Sequence, residues 1–248
     1  MRLLIFSLIV VLTFSSCTRR SGRRGSHLPI GSNIGITNNS QSNTPPTEND
    51  LSSINPNTSN QILTGSEIFE RFNNAVFMVY TSNGNSGYQG SGFFITPSGV
   101  AVSNYHVFKG TTIGYEELKL SNGSTYKIEK VLYKSPSEDV IVFKVRSQNE
   151  VFDYIPITSH TPKVGEQVFA IGSPRGLENT FSSGEISQFR ANNIIQISVP
   201  IDHGSSGGAL INEYGEVIGI TSGGIDESSA SLNFAINISV VKKYLNNI

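Results

Sequence analysis

The chain has 248 residues, with 18 Lys and Arg against 19 Asp and Glu, so a net charge of −1 argues against general nucleic-acid binding. The basic charge is confined to the amino-terminal end: residues 1–65 carry five bases and two acids, and residues 66–248 carry thirteen bases and seventeen acids. A single Cys excludes an intramolecular disulfide framework and any multi-cysteine metal site. The 24 Gly, 14 Phe and 9 Tyr are typical of a β-rich globular domain, and we expect no metal and no cofactor.

The chain begins with a short apolar segment. Residues 3–14 form an apolar run behind Arg2, shorter than the roughly 20 residues that cross a bilayer, so we predict a secretory signal peptide over residues 1–16. The sequence FSSC at 14–17 resembles the bacterial lipobox, whose Cys is acylated after the signal is removed. We therefore expect a lipid on Cys17 and a place in the bacterial cell envelope, periplasmic or on the outer surface. The alternative is a free cysteine beside an ordinary cleavage site.

A polar segment separates this signal from the aromatic part of the chain. Four arginines at positions 19, 20, 23 and 24 follow Cys17, and each adds about 1 kcal/mol of attraction to anionic lipid if held near the surface. The alternative is a solvated charge run. In residues 25–62, 28 of 38 are Ser, Thr, Asn, Gln, Gly or Pro, which cannot form a core. We predict a disordered tether over 17–62 and one folded domain over 63–248.

The sequence pattern of the folded domain predicts strands flanked by two short helices. Thr64 and Glu67 have the spacing of a capping box, which predicts a helix at that point. A last helix is predicted over 239–246, with Ser239 as its cap. Since no helix alternates with the strands, we expect a sandwich or a pair of barrels. The predicted strands are 75–81, 90–96, 100–105, 115–121, 124–133, 139–145, 167–172, 181–188, 193–199, 208–212, 216–222 and 231–237.

Three segments carry side chains suited to nucleophilic catalysis. GSSGGAL at 204–210 contains Ser206 between glycines, which allow a tight turn where backbone N–H groups converge on an oxyanion, although such a string alone is a weak signal. A serine hydroxyl also needs an imidazole to take its proton and a carboxylate to orient that imidazole. His106 follows an apolar strand and Asp139 opens another. The order His106, Asp139, Ser206 is that of the chymotrypsin-like double barrel.

The chain resembles a trypsin-like serine protease of the HtrA/Deg type over residues 66–248. The resemblance implies an all-β, chymotrypsin-like double six-stranded β-barrel with a short N-terminal helix and a C-terminal helix. It implies that the N–H groups of Gly204 and Ser206 form the oxyanion hole, with Ser205 assisting. It also favours Asp139 over Glu138, which we expect to be solvated. The matching segments are GSGFFI at 90–95, SNYHV at 103–107, DVIVFK at 139–144, AIGSPRGL at 170–177, GSSGGAL at 204–210, GEVIGI at 215–220 and NFAI at 233–236.

The resemblance also limits which substrate side chains we expect the pocket to accept. The pocket walls are expected from residues 199–203, 221–224 and 232–234, with uncharged walls and no buried acid for Lys or Arg, so we predict cleavage after small or medium apolar residues. His203 lines the cleft or is a solvated loop histidine. Ser205 replaces the Asp of zymogen-activated relatives, and no PDZ module is expected. The predicted pocket residues are Pro200, His203, Thr221, Ser222 and Gly223.

Three functions compete at this point. The leading hypothesis is a lipid-tethered serine endopeptidase that hydrolyses peptide bonds in unfolded or damaged exported proteins, with polypeptides as partners and no nucleic acid. A catalytically silent, envelope-anchored binding or scaffold module is the first alternative, and an esterase using the same triad is the second. The resemblance leaves open whether the domain forms a homotrimer as many relatives do.

Overall fold

A computed structural model describes residues 61–173, 179–225 and 232–245, which are built mainly from β-strands. Two short helices flank the strands: α1 is Gly65–Phe72 and α2 is Ser239–Leu245. The predicted signal peptide, Cys17 and almost all of the tether lie outside the described residues. The thirteen strands of this described part are β1 Val76–Ser82, β2 Gly87–Phe94, β3 Val100–Ser103, β4 Glu117–Leu120, β5 Thr125–Tyr126, β6 Ile128–Ser135, β7 Val140–Val145, β8 Gln167–Gly172, β9 Thr180–Arg190, β10 Ile194–Ile197, β11 Ala209–Asn212, β12 Val217–Ile225 and β13 Leu232–Asn237.

The structure shows the caps of both helices, which were predicted at Thr64 and at Ser239. Before α1, the Thr64 side chain accepts a hydrogen bond from Glu67 N, and the Glu67 carboxylate accepts one from Thr64 N at 2.8 Å, so the predicted capping box is confirmed. At α2 the prediction was wrong by two residues. Ser239 is itself helical, and its N–H donates to Asn237 Oδ1 at 2.9 Å. Neither helix in the described ranges is long and apolar enough to cross a membrane.

The strands form two antiparallel units. The second unit is a closed six-stranded barrel in the order β10-β13-β12-β11-β8-β9, as the resemblance implied. The first is a seven-stranded sheet in the order β5-β4-β1-β2-β3-β7-β6, without pairing between its end strands in the described residues. The all-β, chymotrypsin-like fold is therefore confirmed, with a closed six-stranded second barrel and a first unit that is a half-barrel.

The extra strand arises where one long strand, 124–133, was predicted. The carboxylate of Glu116 is fully buried and accepts hydrogen bonds from Ile128 N at 2.8 Å and Gly114 N at 2.6 Å, while Lys127 Nζ donates to Glu116 O. Because the backbone at this point bonds to a side chain instead of a neighbouring strand, pairing is interrupted. The segment splits into β5 and β6.

Three apolar cores hold the units together. One lies within the first sheet around Phe77, Phe94 and Phe143, and another lies within the closed barrel around Ile195 and Leu210. The third contains residues of both units and both helices, so the first sheet and the barrel share buried surface, and each such side chain contributes about 1.5–3 kcal/mol. Members of this shared core are Ile68 and Phe72 of α1, Phe93 and Val102 of the first sheet, Ile171, Ala209 and Ile236 of the barrel, and Val240 of α2.

Glu216 forms hydrogen bonds that link the barrel to the segment between the two units, which contains Thr158 and His160. Its Oε2 accepts hydrogen bonds from Thr158 Oγ1 at 2.7 Å and Asn212 Nδ2 at 3.1 Å, and it lies 3.2 Å from His160 Nδ1. Burial of the carboxylate raises its pKa, but the hydrogen bonds from Thr158, Asn212 and His160 and the His160 charge outweigh burial. The pKa of Glu216 is therefore lowered from its ordinary value.

A lowered pKa makes the charged Glu216 stabilising above its ordinary pKa, and this stabilisation is lost as the pH falls through the lower folded-state value. Glu216→Gln should reduce the free energy of unfolding by about 1 kcal/mol at pH 7. The difference in unfolding free energy between this variant and the parent chain should become smaller below about pH 4. Urea unfolding at pH 7, 5 and 3.5 measures this, with Glu129→Gln on the exposed face of β6 as control. A gap that stays constant over this range contradicts the prediction.

Candidate active site

His106 and Asp139 are in direct contact. His106 opens a short 3₁₀ turn after β3, and its Nδ1 lies 2.7 Å from Asp139 Oδ2. The backbone N–H of His106 also donates to Asp139 Oδ1 at 2.8 Å, so one carboxylate binds the ring and the backbone of the same residue. This arrangement fixes the ring orientation and favours the tautomer with its proton on Nδ1, which leaves Nε2 as the basic nitrogen.

Asp139 has an unusual backbone conformation that its neighbours hold in place. Its φ is +52°, a left-handed value that costs a non-glycine residue about 1–3 kcal/mol. Its carbonyl accepts hydrogen bonds from Tyr105 N at 3.1 Å and Asn104 Nδ2 at 3.0 Å. From the closed barrel, Ser222 Oγ donates to Asp139 Oδ2 at 3.3 Å. The strained residue is thus bound on both its backbone and its carboxylate.

Glu138, the neighbouring acid, has a different role, and the expectation that it is solvated is wrong. Its side chain is 25% exposed, and its Oε2 accepts hydrogen bonds from Tyr133 Oη at 3.1 Å and Tyr244 Oη at 3.3 Å. Lys243 Nζ lies 3.8 Å from the other oxygen. The hydrogen bond with Tyr133, then burial and the charge of Glu138, raise the pKa of Tyr244 above its ordinary value. Glu138 therefore anchors α2 to the turn before β7.

Two consecutive four-residue turns form the loop that carries the candidate nucleophile. In the first, Ser205 N donates to Asp202 O at 3.0 Å, and in the second, Gly208 N donates to Ser205 O at 2.9 Å. The third residue of each turn is a glycine with positive φ, +95° at Gly204 and +89° at Gly207. Type II turns need such a residue at this position, which explains the glycine pattern of the motif.

The turns decide which backbone donors remain for a ligand. The N–H of Ser205 is used within the first turn, so the expectation that Ser205 assists in the oxyanion hole does not fit this geometry. Within the described residues, the N–H groups of Gly204 and Ser206 have no hydrogen-bond acceptor. Both residues line the cavity that His106 lines. Backbone N–H groups without an intramolecular acceptor are the kind of donor that a developing oxyanion needs.

Two adjacent cavities divide the predicted site residues between them. The first, of about 400 Å³, is the catalytic cavity; the second, of about 380 Å³, lies beside it and is called the side pocket. Ile201 and Asp202 line both, which makes the cavities neighbours. The catalytic cavity is lined by His106, Gly204 and Ser206 and by the predicted pocket residues His203, Ser222 and Gly223. The side pocket is lined by Pro200, Ser205, Thr221 and Asn233 among others.

The hydroxyl of Ser206 and the ring of His106 share the catalytic cavity without a hydrogen bond between them. Catalytic hydrogen bonds are often long in ligand-free enzymes and shorten when substrate binds. The structure therefore places His106 and Ser206 in the lining of one cavity without a direct hydrogen bond.

The walls of the side pocket differ from the expectation in one respect. Pro200 and Ile201 supply accessible apolar surface, while Ala170 and Ile171 are buried in the apolar cores. However, the exposed acid Asp202 is among the lining residues, so the walls are not wholly uncharged. In the part of the chain that the structure describes, no group of three or more His, Cys, Asp or Glu side chains is placed to hold a metal ion.

Sequence reasoning missed a contact between β2 and the loop of the candidate nucleophile. Ser91 N donates to Ser206 O at 2.8 Å, and Ser91 Oγ donates to Gly204 O at 2.8 Å. The neighbouring Gln89 and Tyr88 line the catalytic cavity. The motif GSGFFI at 90–95 marked this strand by similarity alone. Its pairing with a loop more than 100 residues away had no local signal in the sequence.

Comparison with known proteins agrees with the fold. The family of the trypsin-like peptidase domain matches residues 90–220, which is more than half of the chain. The match includes His106, Asp139 and Ser206. The chain belongs to the family of trypsin-like peptidase domains.

Particular relatives place the chain near the HtrA and DegP proteins. A probable periplasmic serine endoprotease, DegP-like, of Chlamydia pneumoniae is 32% identical over 180 residues, 68% of this chain and 36% of the relative. The putative serine protease HhoA of Synechocystis is 33% identical over 64% of this chain and 43% of the relative. The periplasmic serine endoprotease DegP of Salmonella typhimurium is 31% identical over 69% of this chain and 39% of the relative. The chain thus spans less than half the length of these curated relatives.

A solved structure is also similar. The crystal structure of the serine endoprotease from Yersinia pestis matches with a TM-score of 0.66 and 28% identity, covering 74% of this chain and 66% of that one. This likeness supports the fold.

The glycine at 207 should be the least replaceable in the candidate site. A Cβ there would lie 2.1 Å from Ser91 O and 2.4 Å from Ser103 Oγ, whereas a Cβ on Gly84, whose φ is +90°, would meet no atom within 4 Å. Gly84→Ala should cost about 1–2 kcal/mol in unfolding free energy, and Gly207→Ala about 2–5 kcal/mol. Equal shifts of the urea midpoint in the two variants would show that contact with Ser91 and Ser103 adds nothing to the destabilisation caused by Gly207→Ala.

Proposed function

We propose that this chain is a serine endopeptidase of the HtrA/DegP type, in which Ser206 is the nucleophile, His106 the general base and Asp139 the acid that orients it. The observation that carries the proposal is the 2.7 Å contact between His106 Nδ1 and Asp139 Oδ2 at a cavity that Ser206 also lines. Membership of the trypsin-like peptidase family supports it independently.

The reaction follows from the position of each group. His106 Nε2 takes the proton of Ser206 Oγ as that oxygen attacks the substrate carbonyl, and the imidazolium is stabilised by the Asp139 carboxylate. The imidazolium then protonates the leaving amine. Water, activated by the same nitrogen, hydrolyses the acyl-enzyme and restores Ser206.

The oxyanion is held by backbone donors in this proposal. The N–H groups of Gly204 and Ser206 are free of intramolecular acceptors within the described residues, and both residues line the catalytic cavity. Loss of one such donor typically lowers kcat by about 10²–10³. Ser222, which donates to Asp139 from the barrel, helps to keep the carboxylate aligned with the ring.

Removal of each triad group tests the proposal. Ser206→Ala and His106→Ala should lower kcat/KM for a peptide substrate by more than about 10⁴, and Asp139→Asn should lower it by about 10⁴ because the imidazole tautomer is lost. Casein hydrolysis and labelling of Ser206 by a fluorophosphonate probe measure the effect. Glu138→Gln, which alters the adjacent acid but not the carboxylate bound to His106, should retain most of the activity.

The alternatives predict different results in the same assays. A silent scaffold module would leave Ser206 unlabelled in the parent chain under all conditions. An esterase would hydrolyse ester substrates and leave matched peptides intact. Parent-like activity in any of the three triad variants would reject the assigned roles.

The side pocket supports a proposal for specificity. We propose that it takes the residue before the cleaved bond, with Pro200 and Thr221 in its walls and His203, Ser222 and Gly223 lining the path from the catalytic cavity. A volume of about 380 Å³ and the apolar surface of Pro200 and Ile201 favour small or medium apolar side chains.

Digestion of a peptide library should therefore give cuts mainly after small or medium apolar residues, because Pro200 and Ile201 offer apolar contacts and the acid in the lining, Asp202, is exposed to solvent. Cleavage sites read by mass spectrometry provide the measurement. Cuts mainly after Lys or Arg would instead assign a direct role to Asp202, and cuts mainly after Glu would also contradict the proposal.

The predicted domain organisation also supports a proposal for where in the cell the protein is located. We propose a signal peptide over 1–16, a tether over 17–62 and the protease domain over 63–248, held in the bacterial envelope by a lipid on Cys17. Periplasmic DegP relatives support an exported location. Unfolded or damaged exported polypeptides are then the substrates within reach. Assembly as a homotrimer is a further question that size measurement of the purified protein answers.

Cys17→Ser should move the protein from the membrane fraction to the soluble fraction, because the acylated sulfur is removed while the tether and domain are unchanged. Fractionation of cells followed by immunoblotting measures the distribution. Cys17→Ala should behave identically. Retention of both variants in the membrane fraction would reject lipidation at this residue.

A further inference from the structure

Ser91 connects the first sheet to the two sides of the candidate site. It is fully buried on β2, and its backbone N–H donates to Ser206 O at 2.8 Å. Its hydroxyl donates to Gly204 O at 2.8 Å and accepts from Ser173 N at 2.9 Å. One residue thus binds the carbonyl of the candidate nucleophile, the carbonyl of the preceding glycine and the end of β8.

Along the chain, the two carbonyls lie on either side of one of the two proposed oxyanion donors, the Ser206 N–H. The peptide that carries the Ser206 N–H lies between the carbonyl of Gly204 and the carbonyl of Ser206, and both carbonyls are bound by Ser91. Gly204 has no side chain to restrict its torsions and adopts a φ of +95°. Because a glycine can change conformation easily, an external hydrogen bond on its carbonyl is needed to keep its peptides in one orientation.

The hydroxyl of Ser91 has a fixed orientation. Since it accepts the Ser173 N–H, its proton is directed to Gly204 O, which is the acceptor within reach. Ser103 Oγ in turn donates to Ser91 O at 2.7 Å and holds the β2 backbone from the other side. Ser91, Ser103 and Ser173 are each fully buried. In such a site an unpaired carbonyl finds no bulk water as a replacement partner.

The loop also packs tightly on this residue. A Cβ on Gly207 would lie 2.1 Å from Ser91 O, so the turn that follows Ser206 lies directly against the β2 backbone.

We propose that Ser91 is a positioning residue for the oxyanion hole: its hydroxyl holds the Gly204 carbonyl so that the N–H groups of Gly204 and Ser206 face the catalytic cavity. This inference rests on the proposed peptidase function and adds a residue from the first sheet to it. Ser91 acts through the loop and touches no reacting atom, so its effect should appear in the transition state rather than in substrate binding.

The experiment compares the full chain with its Ser91→Ala variant on a peptide substrate. Complete loss of one oxyanion donor lowers kcat by about 10²–10³, so misalignment of the donors should lower kcat by about 10–100-fold. KM should stay within about threefold. The affinity for a peptide aldehyde, which forms a tetrahedral adduct at Ser206, should fall in parallel with kcat/KM, whereas a non-covalent product peptide should bind as before.

Matched variants separate positioning from stability. Thr158→Val removes another buried hydroxyl, one that bonds Glu216 and does not line the catalytic cavity. It should lower the unfolding midpoint while leaving kcat unchanged. Ser91→Thr retains the hydroxyl and should restore most of the kcat lost in Ser91→Ala. If Ser91→Ala does not fold, Ser91→Cys replaces it, since a thiol is a weaker donor, and kcat should fall about tenfold.

The outcomes divide as follows. An active parent chain whose Ser91→Ala or Ser91→Cys variant has the same kcat and the same aldehyde affinity overturns the role of Ser91 and leaves the peptidase intact. If Ser91→Ala lowers kcat no more than Thr158→Val does, the role of Ser91 is also overturned. A parent chain that neither cleaves peptide nor reacts with the fluorophosphonate overturns the peptidase function, and the role of Ser91 with it.

Discussion

The carboxylate of Asp139 is the interaction on which the candidate site depends. It receives the ring and backbone N–H of His106 from the first sheet and the hydroxyl of Ser222 from the closed barrel. The residue adopts a left-handed φ of +52°, a strain that the hydrogen bonds to its carbonyl offset. The first sheet and the barrel, which supply these partners, also share an apolar core.

Backbone geometry contributes as much to the site as side chains do. The loop of residues 202–208 contains two turns whose third residues are glycines, and these turns use the Ser205 N–H but leave those of Gly204 and Ser206 unpaired within the described residues. The loop lies on Ser91, which contacts it through both its backbone and its hydroxyl. The nucleophile loop of the barrel therefore has its conformation set in part by a strand of the other sheet.

Several features were predictable because their causes are local. The capping box of Thr64 and Glu67 spans four residues, and β8 was predicted with its observed bounds because its apolar run ends at a glycine. The order of His106, Asp139 and Ser206 and the glycines near them indicated the chemistry and the family. The predictions failed where a distant group intervened: Glu116 breaks the strand predicted over 124–133, and two tyrosines bind Glu138.

The amino-acid sequence by itself determined the strand content, the identities of the candidate catalytic residues and the need for glycine in the loop, because periodicity, residue chemistry and turn conformations act over a few neighbouring positions. Tertiary structure alone decided that the first unit is an open seven-stranded sheet, that the predicted pocket residues line two cavities, and that Ser91 binds the nucleophile loop. The contacts of Ser91 are hydrogen bonds to residues more than a hundred positions away, as from Ser91 to Gly204, and they form only when the first sheet and the barrel pack together.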